Sequence, residues 1–459
     1  MVPTHPEVSP MKMVVTVTQE VNIDQDRANA NEVFLAVAEA RREAGEKLAK
    51  SIIEGYEECV VEVLCSPSGS VAKKGLGAHE VKDMPGRRCR CRTFVRAGRW
   101  NDTRTLRGAC GRVTWQPAQV KCVRCGKRLT PVLGALELEP YEGRTDELLR
   151  KVMEAVAETS YRRGSGSLDE LAEVPVAKSS AHRWAATVEL PVREGSGLPV
   201  LGADGTGFHR AGGEAGEVRL VVELGEDGRV RPLGVWAGTP WKEIAAEVKD
   251  RLKGQPRLFV SDGEAAAEKW LGRLAAGVNR CHWHLPRGSG FALWGDGAPK
   301  AERDDLAGRL RRLLAIEIPE EDVEFVSAED KEKMQERIQA AEKELEELRK
   351  HCEAKGYTKA ALYLANTRKR LFNHLWLWLE TGIVAPRTTS IIENTIKELV
   401  RRLKKIGWNW SDAGATRMGR VVMLRRYDEE AWDQYWKDRM NLQGRCKIQI
   451  TQWDAKRVA

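Results

Sequence analysis

The sequence predicts a multidomain α+β protein, with a small cysteine-containing β-rich module ahead of an α/β core that a helical segment interrupts. Three observations lead there. The chain has 459 residues, more than one ordinary domain holds, and 42% of them are hydrophobic, enough for real cores. Its positive charge is gathered into blocks: residues 86–130 carry thirteen Lys or Arg against one acid, Asp102. Its hydrophobic pattern changes period along the chain, from helical to alternating and back to helical.

Composition excludes several classes. There is no run of about 18 apolar residues, so no membrane partner is expected. The opening MVPTHPEVSPMKM lacks the apolar stretch of a signal peptide, which predicts a reducing cytoplasm. There the ten cysteines point to metal binding or burial rather than to disulfides. Net charge is only +8, but residues 393–426 hold nine basic and three acidic residues, while residues 316–350 hold thirteen acids and six bases. Two positive blocks suit a polyanionic partner, since interspersed signs would serve solubility alone.

Residues 1–65 form an N-terminal helical region. A helix over 20–55 is predicted, with Phe34, Val37, Ala38, Leu48 and Ile52 at helical spacing. Residues 66–86, rich in Gly, Ser, Pro and Lys, are a linker. Residues 87–140 are the basic β-rich module. Its Cys122 and Cys125 form a C-x-x-C-G knuckle, a turn that sets two thiolates on one tetrahedral ion. Cys89 and Cys91 are the candidate second pair, in a C-x-C spacing that departs from the usual C-x-x-C, with Cys110 to spare. A zinc ribbon and a hairpin module with reduced cysteines both remain open. Arg87, Arg88, Arg90, Arg92, Arg124 and Lys127 suit phosphate contacts in either case.

Residues 141–192 read as a helix-turn-helix DNA-binding region. SLDELAEV, a polar break and AKSSAHRWAATVEL give its shape. Ser179 or Ser180 would cap the second helix and present His182 and Arg183 to bases.

From residue 193 to 289 the pattern becomes α/β. LPVLGAD is a strand ending at Asp204 in a Gly205-Thr206-Gly207 turn. VRLVVELG and VRPLGVWAG form a hairpin around the Glu-Asp-Gly turn at 226–228. WKEIAAEVKDRL is a helix, RLFVSD a strand ending at Asp262, AAAEKWLGRL a helix and GVNRCHWH a fifth strand. Three strands, helix, strand, helix, strand is the order of a ribonuclease H-like domain. Residues 290–385 are a helical insertion in which Trp376 and Trp378 pack as core. Residues 386–430 return to that domain with a last helix, TTSIIENTIKELVRRLKKIG, capped by Thr388, Thr389 or Ser390. Ile392, Ile396, Leu399, Leu403 and Ile406 are its buried face, Glu393 borders it, and Arg401, Arg402, Lys404 and Lys405 cover its outside. Residues 431–459 are a C-terminal tail.

Cleaving a phosphodiester takes a polarised phosphorus, an activated water or hydroxyl, and a neutralised leaving oxygen. Two Mg²⁺ or Mn²⁺ ions about 4 Å apart supply all three and are held by carboxylate oxygens. Asp204, Asp262 and Glu393 are the candidate catalytic acids and metal ligands. Asp204-Gly205 and Asp262-Gly263 taken singly are common turns. Their placement after apolar strands, with Glu393 opening a capped helix, makes them a set. Glu264, Glu268 and Glu398 compete with them. Trp408 and Trp410, beside the basic helix, either stack on an unpaired base or pack in a core.

The arrangement resembles the D-D-E transposases of the Mutator-like group and their prokaryotic insertion-sequence relatives. The residues that carry the likeness are Cys281-His282-Trp283-His284, similar to their C-x-x-H motif, and SIIENTIKELVRRLKKIGWNWSDAGATRMGRVVML around Glu393. The likeness runs over roughly residues 87–430 and is looser at the N-terminal end. It implies a ribonuclease H-like core with an all-helical insertion, and Asp204, Asp262 and Glu393 as ligands of two Mg²⁺ or Mn²⁺ ions. Cys281 and His284 are implied near the active site, without zinc. It further implies double-stranded DNA partners (terminal inverted repeats and target DNA), a homodimer or larger, and a nucleoid-associated place in a prokaryotic cytoplasm. The expected function is transposition by cleavage and joining of 3′-hydroxyl ends. A structure-specific nuclease or resolvase of the same fold and a domesticated DNA-binding regulator are the alternatives.

Overall fold

The computed structural model describes residues 14–17, 29–65, 81–82, 88–89, 91, 93–320, 322–406 and 409–441. It is a mixed α+β protein of two compact units. One comprises residues 1–154, 165–177 and 434–459, the other residues 155–164 and 178–433. Among the described residues, no helix is long and apolar enough to cross a membrane.

In the first unit, helix α1 (Ala30–Cys65) runs ten residues further than the predicted 55. It buries Glu57, Val60 and Val61, whereas Phe34 and Val37, expected on the buried face, are 75% and 55% exposed. Helical spacing marks a face but does not say what covers it. Strands β1 (Val81–Lys82) and β2 (Arg88–Cys89) pair, and β3 (Phe94–Arg99), β6 (Ala118–Cys122) and β7 (Arg128–Leu129) form a sheet in the order β3-β6-β7. Strands β4 (Arg104–Gly108) and β5 (Gly111–Trp115) form a separate hairpin, and α2 (Pro131–Ala135) follows. Val61 packs with Phe94, Val120, Cys122 and Leu129, and Val113 and Trp115 pack with Val132 and Leu133. The buried Glu57 carboxylate accepts from Ala118 N (2.8 Å) and Arg99 Nη1 (3.0 Å), so the charge that burial penalises is paired. The expected linker, apart from residues 81–82, lies outside the described residues.

Helices α3 (Asp146–Glu158), α4 (Tyr161–Ala172) and α5 (Lys178–Ala185) occupy the predicted helix-turn-helix stretch. Ser179 and Ser180 lie inside α5 rather than capping it, because the helix already begins at Lys178.

The second unit is built on a five-stranded sheet in the order β10-β9-β8-β11-β12. These are β8 (Val200–His209), β9 (Ala215–Leu224), β10 (Val230–Ala237), β11 (Leu258–Ser261) and β12 (Gly277–Arg280). The first three are antiparallel, and β11 lies parallel to both β8 and β12. The predicted hairpin forms, turning through Gly228 at a φ of 73°. One correction matters for the site. Gly205-Thr206-Gly207 is not a turn: β8 continues in register against β9 from Val200↔Leu224 to His209↔Ala215. Asp204 is therefore inside a strand on that side, while the parallel pairing with β11 ends at Gly202↔Val260.

Alternation sorts the strands' side chains. Leu201, Ala203, Val221 and Phe259 join Trp241, Ile244 and Val248 of α6 (Trp241–Lys249) in one core, beside which α7 (Ala265–Trp270) also packs. Gly202, Asp204 and Val260 point to the opposite face. There lie α13 (Ser390–Val400), whose Ile392 rests on Gly202, and α14 (Asp412–Tyr427), whose Gly419 rests on Val235.

After β12, which stops at Arg280 short of the predicted 284, comes an all-helical segment: α8 (His284–Gly295), α9 (Lys300–Leu313), α10 (Ala328–Ala354), α11 (Thr358–Thr367) and α12 (Asn373–Thr381). It has its own core of Leu310, Ile338, Leu345, Leu364, Leu375 and Trp378. Its last helix is pinned at Asn279, whose side-chain oxygen accepts from His374 N at 3.2 Å. The expected C-terminal tail instead begins with α15 (Glu429–Met440); residues 442–459 lie outside the described residues.

Candidate active site and metal centre

Asp204 and Asp262 each stand two residues beyond the Gly202↔Val260 pair that closes the β8–β11 ladder. By alternation Asp204, inside β8, faces α13, and Asp262, in the bend past β11, is close enough for its charge to act on Asp204. Burial, followed by the charges of Asp262 and Glu393, pushes the Asp204 carboxyl up to about 6, although Gly205 N donates to its Oδ1 at 2.7 Å. The three acids thus share one electrostatic environment. Asp262 Oδ1 accepts from Glu264 N at 3.0 Å, an Asx-type turn that aims the carboxylate past the strand end. That turn needs Gly263, at a φ of 108°, because a Cβ there would fall 2.0 Å from the Arg280 guanidinium.

Glu393 occupies the first turn of α13. Its Oε1 accepts from the Thr389 hydroxyl at 2.7 Å and lies 3.9 Å from His284 Nδ1. Thr389 is the N-cap residue, but its hydroxyl goes to the Glu393 carboxylate rather than to a backbone N–H. The same hydroxyl is 3.3 Å from Cys281 Sγ, which also accepts from Thr389 N at 3.3 Å. Burial alone would raise the Cys281 thiol, yet His284 and Thr389 together hold it below its ordinary value, and Cys281 in turn raises His284. Cys281 therefore meets Glu393 through Thr389, a residue expected only as a cap, whereas His284 stands beside Glu393 directly. The signals for the missed residues were faint: a small residue two before Asp204, and a hydroxyl four before Glu393.

The competing acids have other partners. Glu264 Oε1 accepts from Trp241 Nε1 at 2.5 Å, Glu268 pairs with Arg280 at 2.8 Å and Arg370 at 2.6 Å, and Glu398 pairs with Arg401 at 3.3 Å. Asp204, Asp262 and Glu393 are the acids whose charges act together, Asp262 and Glu393 both raising Asp204.

A second centre lies in the first unit. Cys89, Cys91, Cys122 and Cys125 present sulfurs that all lie within 4.8 Å of one another. Among the described residues this is the group of potential metal ligands that is so tightly gathered; the three carboxylates are spread wider. Cys89 and Cys125 sulfurs are 3.5 Å apart, close to the roughly 3.8 Å edge of a tetrahedron with Zn–S bonds of about 2.3 Å. Gly126, at a φ of 70°, closes the knuckle, with its N–H on Cys122 O at 3.0 Å. Burial lifts Cys89 to about 12, whereas the N–H groups of Cys125 and Arg124 overcome burial at Cys122 and hold it at about 6. The C-x-C pair does complete the set, because β2 pairs with β1 and leaves Cys91 just past the strand end. Four cysteines so placed can bind a metal such as zinc.

The expected DNA contacts fare unevenly. Arg124 and Lys127 are exposed on the knuckle, and His182 and Arg183 are exposed on α5, with the His182 ring edge-on to Tyr161 at 5.1 Å. Lys404 and Lys405 are exposed, and Arg401 is held by Glu158 and Glu398. Arg402, expected outside, is 1% exposed: a π-helical turn at Arg401–Lys405 shifts the register and swings it inward. Its guanidinium lies 4.9 Å from the Trp410 ring and 5.6 Å from Tyr161, and Nε donates to Val156 O at 2.9 Å. Trp410 is 7% exposed and extends the β8 edge through Trp410 N on His209 O, so it packs and is closed to a base. Arg87, Arg90, Arg92 and Trp408 lie outside the described residues, as does the side chain of Arg88.

No protein-family model and no curated protein matches the chain.

Proposed function

We propose that the protein is a DNA transposase of the D-D-E type, whose second unit is a ribonuclease H-like core with a helical insertion. The observation that carries this reading is the shared field of Asp204, Asp262 and Glu393 on the one sheet face that α13 crosses. The strand order β10-β9-β8-β11-β12, with three antiparallel strands followed by two parallel pairings, supports it.

The donor set suits hard cations: three carboxylates, one of which, Asp204, burial and then the charges of Asp262 and Glu393 push up to about 6, so that a bound cation would relieve it. Two Mg²⁺ or Mn²⁺ ions would be held by Asp204, Asp262 and Glu393 and would supply charge neutralisation at the attacking and leaving oxygens. Acids spread wider than one ion's shell are compatible with a pair of ions about 4 Å apart. The chain's own residues orient the ligands. Thr389 steers Glu393, the Gly263 turn steers Asp262, and Gly205 N holds Asp204. The exposed cations of the cysteine module and of α5 are the proposed contacts to double-stranded DNA.

The test uses the full chain and supercoiled plasmid with Mg²⁺ or Mn²⁺. Nicking is expected, and it is expected to vanish in Asp204→Asn, Asp262→Asn and Glu393→Gln with unfolding midpoints kept. Nicking that persists in Glu393→Gln overturns the third ligand, and no metal-dependent nicking at all overturns the reading. Joining of oligonucleotide 3′-hydroxyl ends to the plasmid separates a transposase from a nuclease or resolvase with the same site.

A further inference from the structure

Helix α8 leaves the sheet next to the acids and carries large rings into solvent. Trp283, just before its first turn, is 68% exposed, Phe291 61% and Trp294 67%. At about 100° per residue, Phe291, Arg287 and Trp294 fall within about 80° to one side of His284, and Trp283 within about 100°. The opposite side, Leu285, Ser289 and Leu293, is buried. The rings and His284 thus share one face, and His284 Nδ1 is 3.9 Å from Glu393 Oε1. The face is also cationic. Arg287 Cζ stands 5.7 Å over the Phe291 ring, and α8 carries no acid between His284 and Gly295.

We propose that this face of α8 binds unpaired nucleotides of DNA beside the carboxylates, an inference that rests on the phosphodiester-cutting function proposed above. Flat rings interleaved with a cation match bases joined by phosphates: the rings stack on bases and Arg287 meets the backbone. Paired bases have both faces covered within the duplex, so only an unpaired segment offers a free face to a ring. Trp283 and Trp294 therefore take the stacking role that Trp410, buried, does not fill.

The experiment measures binding of fluorescent oligodeoxythymidine, about a dozen nucleotides long, and of a duplex of equal length to the full chain in buffer without added Mg²⁺ or Mn²⁺ and without chelator, where no cutting intrudes and the cysteine centre keeps its ion. Trp294→Ala and Trp283→Ala are each expected to weaken single-strand binding about five- to a hundredfold, with duplex binding unchanged and Trp294→Phe near wild type. Arg287→Gln is expected to lower the salt dependence of single-strand binding by about one charge. These side chains are exposed, so unfolding midpoints should not move. Equal single-strand binding by wild type and both alanine variants overturns the proposal. So does an equal loss on duplex, or a change of oligomeric state in sedimentation with binding intact, which assigns the face to a second copy of the chain. A protein that binds the oligonucleotide through these rings yet never cuts DNA with Mn²⁺ overturns the proposed function alone.

Discussion

A Cβ on Gly202 would lie 2.4 Å from Cδ1 of Ile392. The helix that carries Glu393 thus rests on the sheet at a residue with no side chain, two positions before Asp204. This close approach lays the first turn of α13 against β8 beside Asp204.

Gly202→Ala is therefore expected to push α13 off the strand, costing about 1–3 kcal/mol in denaturant unfolding. Ile392→Val should restore part of the loss in the Gly202→Ala background. If Gly202→Ala unfolds like wild type, α13 does not depend on this approach.

Thr389→Val removes the hydroxyl between Glu393 and Cys281 and leaves the helix intact. Loss of a group that orients a metal ligand typically costs 10–100-fold. The metal concentration for half-maximal nicking should rise by about that factor, with Thr389→Ser near wild type. Equal metal dependence in wild type and Thr389→Val would remove Thr389 from the site.

The cysteine centre predicts one tightly held zinc per chain, released by chelator and measured by a colorimetric zinc assay. Cys122→Ser and Cys89→Ser should lose it and destabilise residues 88–129 in hydrogen exchange, because both sulfurs lie in the module's core. Cys110→Ser, whose residue is outside the group, should keep the ion. A zinc content unaffected by Cys122→Ser overturns the assignment.

His282 and His374 predict acid sensitivity. Their rings meet at 4.8 Å, and burial pushes His282 down to about 4 and His374 to about 3, from 6.5. Both are neutral when folded, so between pH 6.5 and about 4 the unfolded chain binds more protons and stability falls as pH falls. At pH 5 each ring should have cost roughly 2 kcal/mol relative to pH 7.5. Denaturant unfolding at the two pH values checks this, and His374→Gln should flatten the profile. An unchanged slope in His374→Gln would show the ring is not titrating there.

Much of the second unit was readable because alternation and turn chemistry are local. The 226–228 hairpin, the strand before Asp262 and the helical run of the insertion follow from neighbours in the chain. The Gly205-Thr206-Gly207 segment misled because glycines also tolerate a strand when a partner ladder such as β9 holds them. Arg402 misled because a π-helical turn breaks the 3.6-residue period on which its outward placement rested. Phe34 and Val37 misled because amphipathic spacing does not reveal what covers a face.

By itself the sequence determined the residue types and part of their local settings: an Asp just past the strand at 258–261, a Glu in the first turn of a helix, and two cysteine pairs, whereas Asp204 lies inside β8 and α13 has no side-chain cap. Tertiary structure decided which of these meet. The shared environment of Asp204, Asp262 and Glu393 depends on a parallel β8–β11 pairing and on the approach of α13 over Gly202, contacts between residues far apart in the chain. The linkage of Cys281 to Glu393 through Thr389 depends on the same approach, since residues 281 and 389 become neighbours only once α13 lies on the sheet. Local pattern is written by nearest neighbours along the chain, whereas convergence of acids is a property of packing.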